Sequence, residues 1–226
     1  MQLFLTNFNT KWNNITIKNT EILNQIRKVL RMKIGDHILV QDENIRHELE
    51  IYDRNSDTIF GNIIQTIKYE WKKDEKWIAI AMSNKREKME LIVQKLTEIW
   101  IKNIYFRPSE RSVIRTRNEK KINRINSISK EALEQSRWRY LPNIEFKKNI
   151  SDIIKWKNII IFDKSDESIN WKPDFPQNTI WIIWPEGWLS KKDYQEIWQD
   201  IKIISLWDTV LRTETASILA WWIINK

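Results

Sequence analysis

Ile180-Trp181-Ile182-Ile183-Trp184-Pro185-Glu186-Gly187-Trp188-Leu189-Ser190, with the later run Ser205-Leu206-Trp207-Asp208-Thr209-Val210-Leu211-Arg212-Thr213-Glu214-Thr215-Ala216, decides how the chain is read. Each is an apolar strand-like run that breaks into a loop and then opens a helix. In an α/β sheet, ligands bind outside the carboxyl ends of strands. The two strand ends are therefore expected side by side around one crevice. Pro185-Glu186-Gly187 reads as a rigid turn, while Thr213 and Thr215 place hydroxyls and free backbone N–H groups at a helix entry. An ordinary α/β connection with a capped helix accounts for the same spacing.

Upstream of this stretch the rhythm is strand, helix, strand, helix, which predicts an α/β domain with a largely parallel sheet. Strands are expected at Trp77–Met82, Asn103–Phe106, Ile159–Phe162, Thr179–Ile183 and Ile201–Leu206. Helices are expected at Lys88–Trp100, Lys120–Gln135, Lys191–Gln199 and Thr213–Ile224. Residues 1–70 differ: strands at Leu3–Phe8, Ile15–Ile17, Ile38–Val40, Glu48–Tyr52 and Thr58–Ile67 surround one helix, Thr20–Arg31, with Thr20 as its cap. That order fits a small β-barrel. The charged segment Tyr69–Lys76 marks the boundary, giving domains 1–70 and 71–226.

Composition narrows the chemistry. The 226 residues carry 38 Lys+Arg against 30 Asp+Glu, a formal charge of +8, which points to a polyanionic partner, nucleic acid before membrane. There are no cysteines, so disulfides, thiolate catalysis and cysteine zinc sites are excluded. His37 and His47 match no standard metal spacing, and no metal is expected. The first residues lack the pattern of a signal peptide, and no apolar run approaches the roughly 20 residues that span a bilayer. A soluble, cytoplasmic protein is the expectation.

Three further stretches hold candidate side chains. Glu90, Gln94 and Glu98 fall on one helix face with Lys88 and Lys95 nearby, a pattern that a solvated amphipathic helix also produces. Pro108–Arg117 carries Arg111, Arg115 and Arg117 in a loop after a strand, where arginine can take phosphate in a bidentate way. In Glu134-Gln135-Ser136-Arg137-Trp138 a helix should end near a glycine, and Trp138 stands there instead. At the end of the first helix, Arg27, Lys28, Arg31 and Lys33 suit phosphate contact, or simply complement the helix dipole.

At these stretches the chain resembles the RsmE-type 16S ribosomal RNA uridine-N3 methyltransferases of the SPOUT superfamily. The likeness runs through Val29-Leu30-Arg31, Glu87-Lys88-Met89-Glu90, Gln94-Lys95, Glu98, Glu110-Arg111-Ser112, Glu134-Gln135-Ser136, Pro185-Glu186-Gly187 and Leu211-Arg212-Thr213-Glu214-Thr215-Ala216. It implies a PUA-like front barrel that helps grip RNA and an α/β domain tied in a deep trefoil knot. It further implies a homodimer that binds S-adenosylmethionine and methylates N3 of a uridine in small-subunit ribosomal RNA. Under this resemblance Ile183, Trp184, Pro185, Glu186, Gly187, Leu206, Trp207, Val210, Leu211 and Thr213 hold the cofactor. Arg212 and Glu214 stand at the reacting centre, and Arg27, Arg31, Arg111, Arg115 and Arg137 contact RNA. Another SPOUT RNA methyltransferase, or a non-catalytic RNA-binding relative, shares many of these features.

The chain departs from that pattern in one direction only. Trp100, Trp138, Trp184, Trp188 and Trp207 stand where the family has glycine. The 3 Gly and 14 Trp together make about 7.5% of the 226 residues, close to the usual glycine share of roughly 7%. Drift would scatter such changes over many residue types. The pattern fits a source that reads UGA as glycine, so that UGG codons at these positions would end the idea. If the indoles are real, weak cofactor binding is expected, because tryptophan resists the φ > 0 conformations glycine takes freely.

Overall fold

A computed structural model describes residues 1–55, 57–70, 76–83, 85–107, 119–147, 149–155, 157–163, 165, 176, 178–183, 195, 197 and 201–224. The chain divides into two compact units, residues 1–72 with 133–140, and residues 73–132 with 141–226.

The first unit is a six-stranded sheet in the order β1-β4-β5-β6-β3-β2, with β1 (Gln2–Leu5), β2 (Asn9–Lys11), β3 (Asn14–Ile17), β4 (His37–Asp42), β5 (Ile45–Arg54) and β6 (Ile59–Lys68). All neighbours are antiparallel except β1 and β4. Strand and helix residues share one core, in which Phe4, Ile15, Ile17, Ile38, Val40, Leu49, Ile51 and Ile59 pack with Ile22, Leu23 and Ile26. Register shifts interrupt β5 between Glu48 and Leu49 and between Ile51 and Asp53, and such bulges bend a strand. Gly61 lies opposite Ile51, where an added Cβ would stand 3.0 Å from the Leu49 Cβ. A side chain at this position would push β5 and β6 apart.

The helix is shorter than its periodicity predicts: α1 covers Thr20–Asn24 and continues as a π-turn over Gln25–Val29. Its cap is Asn19 rather than Thr20, with the amide oxygen accepting from the Glu21 and Ile22 N–H groups. Asn is as good a cap as the family of small polar residues offers, and it comes one residue earlier. β2 escaped the sequence reading because it is three residues long and fully exposed.

Among the described residues of this unit Gln41, Arg46, His47 and Thr58 are buried polar side chains, and two of them are basic. Arg46, 8% exposed, donates to Gln41 Oε1 at 2.8 Å and to the Arg137 and Trp138 carbonyls at 3.0 and 2.5 Å, and stacks over Tyr69. His47 meets Thr66 Oγ1 at 2.8 Å and the edge of Phe8, and burial lowers its pKa. Above its ordinary value of 6.5 both folded and unfolded chains hold the neutral ring. Below it the unfolded chain gains a proton that folded His47 resists, so stability falls with pH until the folded pKa is reached. Thermal melts between pH 7.5 and 5 should show this loss, and His47→Gln should flatten it. Identical slopes in both proteins would contradict the assignment.

The second unit is a wholly parallel six-stranded sheet, β7 (Trp77–Ala81), β8 (Asn103–Arg107), β9 (Asn143–Phe146), β10 (Asn158–Phe162), β11 (Thr179–Ile183) and β12 (Ile201–Ile204), ordered β12-β10-β11-β7-β8-β9. Alternate residues of each central strand face opposite cores. Ile78, Ile80, Ile160, Phe162, Trp181 and Ile183 join α2 (Arg86–Glu98), α3 (Glu119–Ser136) and α5 (Thr213–Ile224). Ala79, Ile159, Ile161, Ile180 and Ile182 face α4 (Ser151–Ile154). Apolar cover on both faces is why these strands read as continuous apolar runs. Four-residue β9 and α4 were too short to register as periodic segments. The expected helix 191–199 falls largely outside the described residues, as does much of the segment expected to form a knot.

The glycine question is sharpened by the backbone. At the end of α2 the Trp100 N–H bonds the Thr97 carbonyl at 3.2 Å and the Ile101 N–H bonds the Leu96 carbonyl at 3.0 Å. This is the Schellman pattern, and Trp100 occupies its left-handed position at φ 76°. Trp12 adds a case the sequence reading missed. It is the first of two loop residues between β2 and β3, with φ 56°, and Asn13 after it is not in the left-handed region. That is the hairpin pattern in which glycine takes the first loop position. Trp12 is 92% exposed and Trp100 56%, so both indoles stand largely in solvent. Trp138 and Trp207 are not left-handed. At the end of α3 the left-handed residue is Arg137 (φ 54°), which corrects the placing of Trp138 at the glycine position. Trp138 instead packs beside Leu3, Leu39 and Leu133. Trp184 and Trp188 lie outside the described residues.

Candidate functional site

In the parallel sheet the strand order reverses between β7 and β11. Strands β7, β8 and β9 run outward on one side, while β11, β10 and β12 occupy the other. Loops leaving neighbouring strands at such a reversal part to opposite faces and open a crevice at the carboxyl ends. Ile183, the last residue of β11 and 1% exposed, pairs with Ile80 of β7 and Phe162 of β10. The candidate site therefore starts at Ile183. Trp184, Pro185, Glu186 and Gly187 follow it in sequence and lie outside the described residues, as do Arg111 and Arg115.

The second strand end is one position farther away than expected. β10 lies between β11 and β12, so the loops after Ile183 and Ile204 flank the end of β10 rather than each other. Sequence could not show this, because hydrophobic strands carry no label for their neighbour. After β12, Leu206 is buried and Trp207 and Val210 are 47% and 76% exposed, with Leu211 packed at the edge of the core. The Ser205 hydroxyl donates to the Trp207 carbonyl at 2.8 Å and fixes this turn.

The chain then enters α5. The Arg212 carbonyl accepts from the Ala216 N–H at 2.8 Å, while its side chain is exposed. Thr213 is buried, and its carbonyl accepts from the Ser217 hydroxyl at 2.7 Å. Glu214 turns inward, with its side chain 14% exposed and Oε2 3.4 Å from Lys88 Nζ. Lys88 is in the first turn of α2, the helix that follows β7. Both helix starts thus meet through one ion pair. The other carboxylates of α2 face elsewhere: Glu90 binds Arg86 at 2.7 Å and Arg124 at 3.3 Å, and Glu98 binds Lys95 at 2.9 Å. Both carboxylates are thus paired with cations of α2 and α3. Arg137 belongs to the first unit, where its guanidinium donates to the Met1 carbonyl at 2.5 Å.

Residues 70–225 match the family model of the RNA methyltransferase domain. The chain belongs to that family. Ribosomal RNA small subunit methyltransferase E of Mesomycoplasma hyopneumoniae (strain 232) is 29% identical over 218 residues, covering 93% of each chain. Ribosomal RNA small subunit methyltransferase E 2 of Borreliella burgdorferi is 32% identical over 142 residues, 61% of this chain and 58% of its own. Among solved structures, ribosomal RNA small subunit methyltransferase E of Neisseria gonorrhoeae, bound to S-adenosyl methionine, superposes with a TM-score of 0.79 at 19% identity, covering 100% of this chain and 97% of that one. The Legionella pneumophila protein Lpg2936, solved with bound SAM, gives 0.81 at 20% identity over 99% and 96%. These likenesses carry the fold, a β unit followed by the parallel α/β unit.

In this RNA methyltransferase the surface beyond β12 fits a mixed apolar and polar cofactor. Exposed Trp207 and Val210 offer an apolar wall, and the turn at 205–211 offers backbone groups beside it. Among the described residues no group of three His, Asp or Glu could hold a metal ion. Among the same residues no helix is long and apolar enough to cross a membrane. Lys88 was quoted in the family motif but given no role, and its pairing with Glu214 spans 126 positions of sequence, which no local pattern announces.

Proposed function

We propose that the chain transfers a methyl group from S-adenosylmethionine to N3 of a uridine in small-subunit ribosomal RNA, as a cytoplasmic homodimer. Residues 1–70 form its RNA-gripping domain and residues 71–226 its transfer domain. The observation that carries the reading is the meeting of the α2 and α5 starts at the carboxyl edge of the sheet, in a chain of the RNA methyltransferase family. Names of the relatives supply the substrate, small-subunit ribosomal RNA.

Ile183 and the residues 184–187 after it, with Leu206, Trp207, Val210, Leu211 and Thr213, would hold the cofactor. When bound, it supplies an electrophilic methyl group on a sulfonium. The chain's own task concerns the uridine, whose N3 carries a proton and is a poor nucleophile until the proton leaves. Glu214 is the acceptor for that proton, and the ammonium of Lys88 keeps its carboxylate aimed from 3.4 Å. Exposed Arg212, two residues before it, meets the negative charge that develops on the uracil oxygens. Fixed charge at such a position is among the largest contributions an enzyme makes.

The test is transfer of labelled methyl from S-adenosylmethionine to small-subunit ribosomal RNA, followed by digestion to nucleosides. Label in 3-methyluridine is expected. Label on a ribose hydroxyl or another base would instead support a different RNA methyltransferase of the superfamily. Cofactor binding without any transfer would sink the catalytic reading.

A further inference from the structure

Lys88 stands where a helix disfavours a cation. It lies in the first turn of α2, whose N-cap, Lys85, makes no side-chain capping bond, and positive charge there opposes the helix dipole. Glu214, in the first turn of α5, is placed as that dipole prefers. Lys88 also turns inward: its side chain is 16% exposed, against 69% for Arg86 and 40% for Lys95, which pair with carboxylates of their own helix. Drawing an ammonium out of water is costly unless polar groups replace the water.

The two helices do not depend on this pair to stay together. Met89, Ile92, Val93 and Leu96 of α2 share one core with Ala220, Trp221, Ile223 and Ile224 of α5, and Trp221 Nε1 donates to the Ile99 carbonyl at 2.8 Å. Apolar side chains in place of a buried ion pair are often neutral or stabilising, so packing alone does not call for charge at 88 and 214. Local rules give way in this manner at functional sites.

An ammonium has three N–H donors and a carboxylate only acceptors, so donor and acceptor stand side by side, 3.4 Å apart, where the starts of α2 and α5 meet. Uracil presents along its N3 edge a carbonyl oxygen, an N–H and a second carbonyl oxygen. The proposed site presents the complement: Lys88 donates, Glu214 accepts, and exposed Arg212 donates. Cytosine, with an acceptor at N3 and an amino group beside it, would set an acceptor against the carboxylate and a donor against a cation.

We infer that Lys88 is a further catalytic residue, whose ammonium donates to the uracil carbonyl oxygen beside N3, selects uracil over cytosine and holds the charge of the imide anion. The inference rests on the proposed function and deepens it. When the N3 proton passes to Glu214, the carboxylate becomes neutral and the negative charge left on the ring spreads over N3 and both oxygens. Lys88 meets that charge at one oxygen and Arg212 at the other. The shielded ammonium therefore faces an anion before and after the proton moves, first Glu214 and then the base. A cation fixed in advance stabilises such charge without reorganising.

Substrates that differ in the acidity of N3 test this. Fluorine at C5 withdraws electrons from the ring, so RNA made with 5-fluorouridine gives up the imide proton more readily and needs less from a fixed charge. Single-turnover methyl transfer to small-subunit ribosomal RNA made with uridine should fall by about 10²- to 10³-fold in Lys88→Met, as for one donor lost at a reacting oxygen. On the 5-fluorouridine RNA the loss should shrink to about tenfold, because the proton transfer is easier from the start. Lys88→Arg keeps the charge and should recover most of the rate. S-adenosylmethionine affinity by calorimetry should be level in the parent and both variants. An equal loss on the two RNAs would make Lys88 a strut for Glu214 and overturn the inference, as would no loss on either. Where Lys88→Met does not fold, Lys88→Gln carries the same comparison. In each of these cases 3-methyluridine formed by the parent chain leaves the proposed function standing. A parent chain that forms none would overturn both.

Discussion

Arg212→Ala is expected to lower kcat for methyl transfer by about 10²- to 10³-fold, the scale on which one preorganised donor at a reacting oxygen acts. Cofactor affinity should hardly move, and neither should stability, since the Arg212 side chain is exposed and the fold uses only its carbonyl. Surface substitutions of that kind usually stay within about 0.5 kcal/mol. Rapid-quench measurement of single-turnover rates checks the loss. Full activity in this variant would remove Arg212 from the mechanism. A rise in KM alone would make it a binding residue rather than one that meets the developing charge.

Glycine in place of the tryptophans should have the other large effect. Trp100→Gly is expected to stabilise the chain by about 1 kcal/mol, because a non-glycine residue in the left-handed region costs roughly 1–2 kcal/mol while glycine adds back some unfolded-state entropy. Trp12→Gly should act alike at the β2–β3 turn. Trp207→Gly should bring no such gain, as its backbone is not left-handed. Trp181 and Trp221 behave differently again. They are buried, meet edge to face at 6.5 Å, and Trp221 Nε1 donates to the Ile99 carbonyl at 2.8 Å. Chemical denaturation separates these cases. A chain with glycine at 100, 184 and 188 should bind S-adenosylmethionine at least about tenfold tighter than the chain as written, about 1.4 kcal/mol. Equal affinity would defeat the view that indoles obstruct the site. The gene's codons give the complementary reading, with UGA expected at 12 and 100.

Much of this molecule could be read from its sequence where patterns are local and long. The closing helix has the expected bounds, Thr213–Ile224, because an apolar run follows a threonine-rich start. Thr179–Ile183 also has its expected bounds, as a run buried at every residue. What sequence could not supply was spatial order. Nothing in Ile201–Ile204 says that it pairs with β10 and leaves β11 out of reach. Nothing in Asp53-Arg54-Asn55 says that Arg54 joins Arg31 across a cavity. The Lys88–Glu214 pair is equally silent in sequence, since its members open two different helices. Backbone conformation was partly legible: Trp100 was placed at a glycine position by resemblance, and Trp12 only by its dihedral angle. At the end of α3 the reading was off by one residue, because Arg137 takes the left-handed turn and Trp138 goes inward.

The most direct measurement of the central claim is made in cells that lack their own uridine-N3 methyltransferase for small-subunit ribosomal RNA. The gene, translated with glycine at 100, 184 and 188, is supplied in trans and the rRNA nucleosides are quantified by mass spectrometry. The account predicts that 3-methyluridine returns in the small subunit and that Arg212→Ala abolishes most of it. A small subunit without 3-methyluridine, in cells where the protein is folded and bound to S-adenosylmethionine, would contradict it.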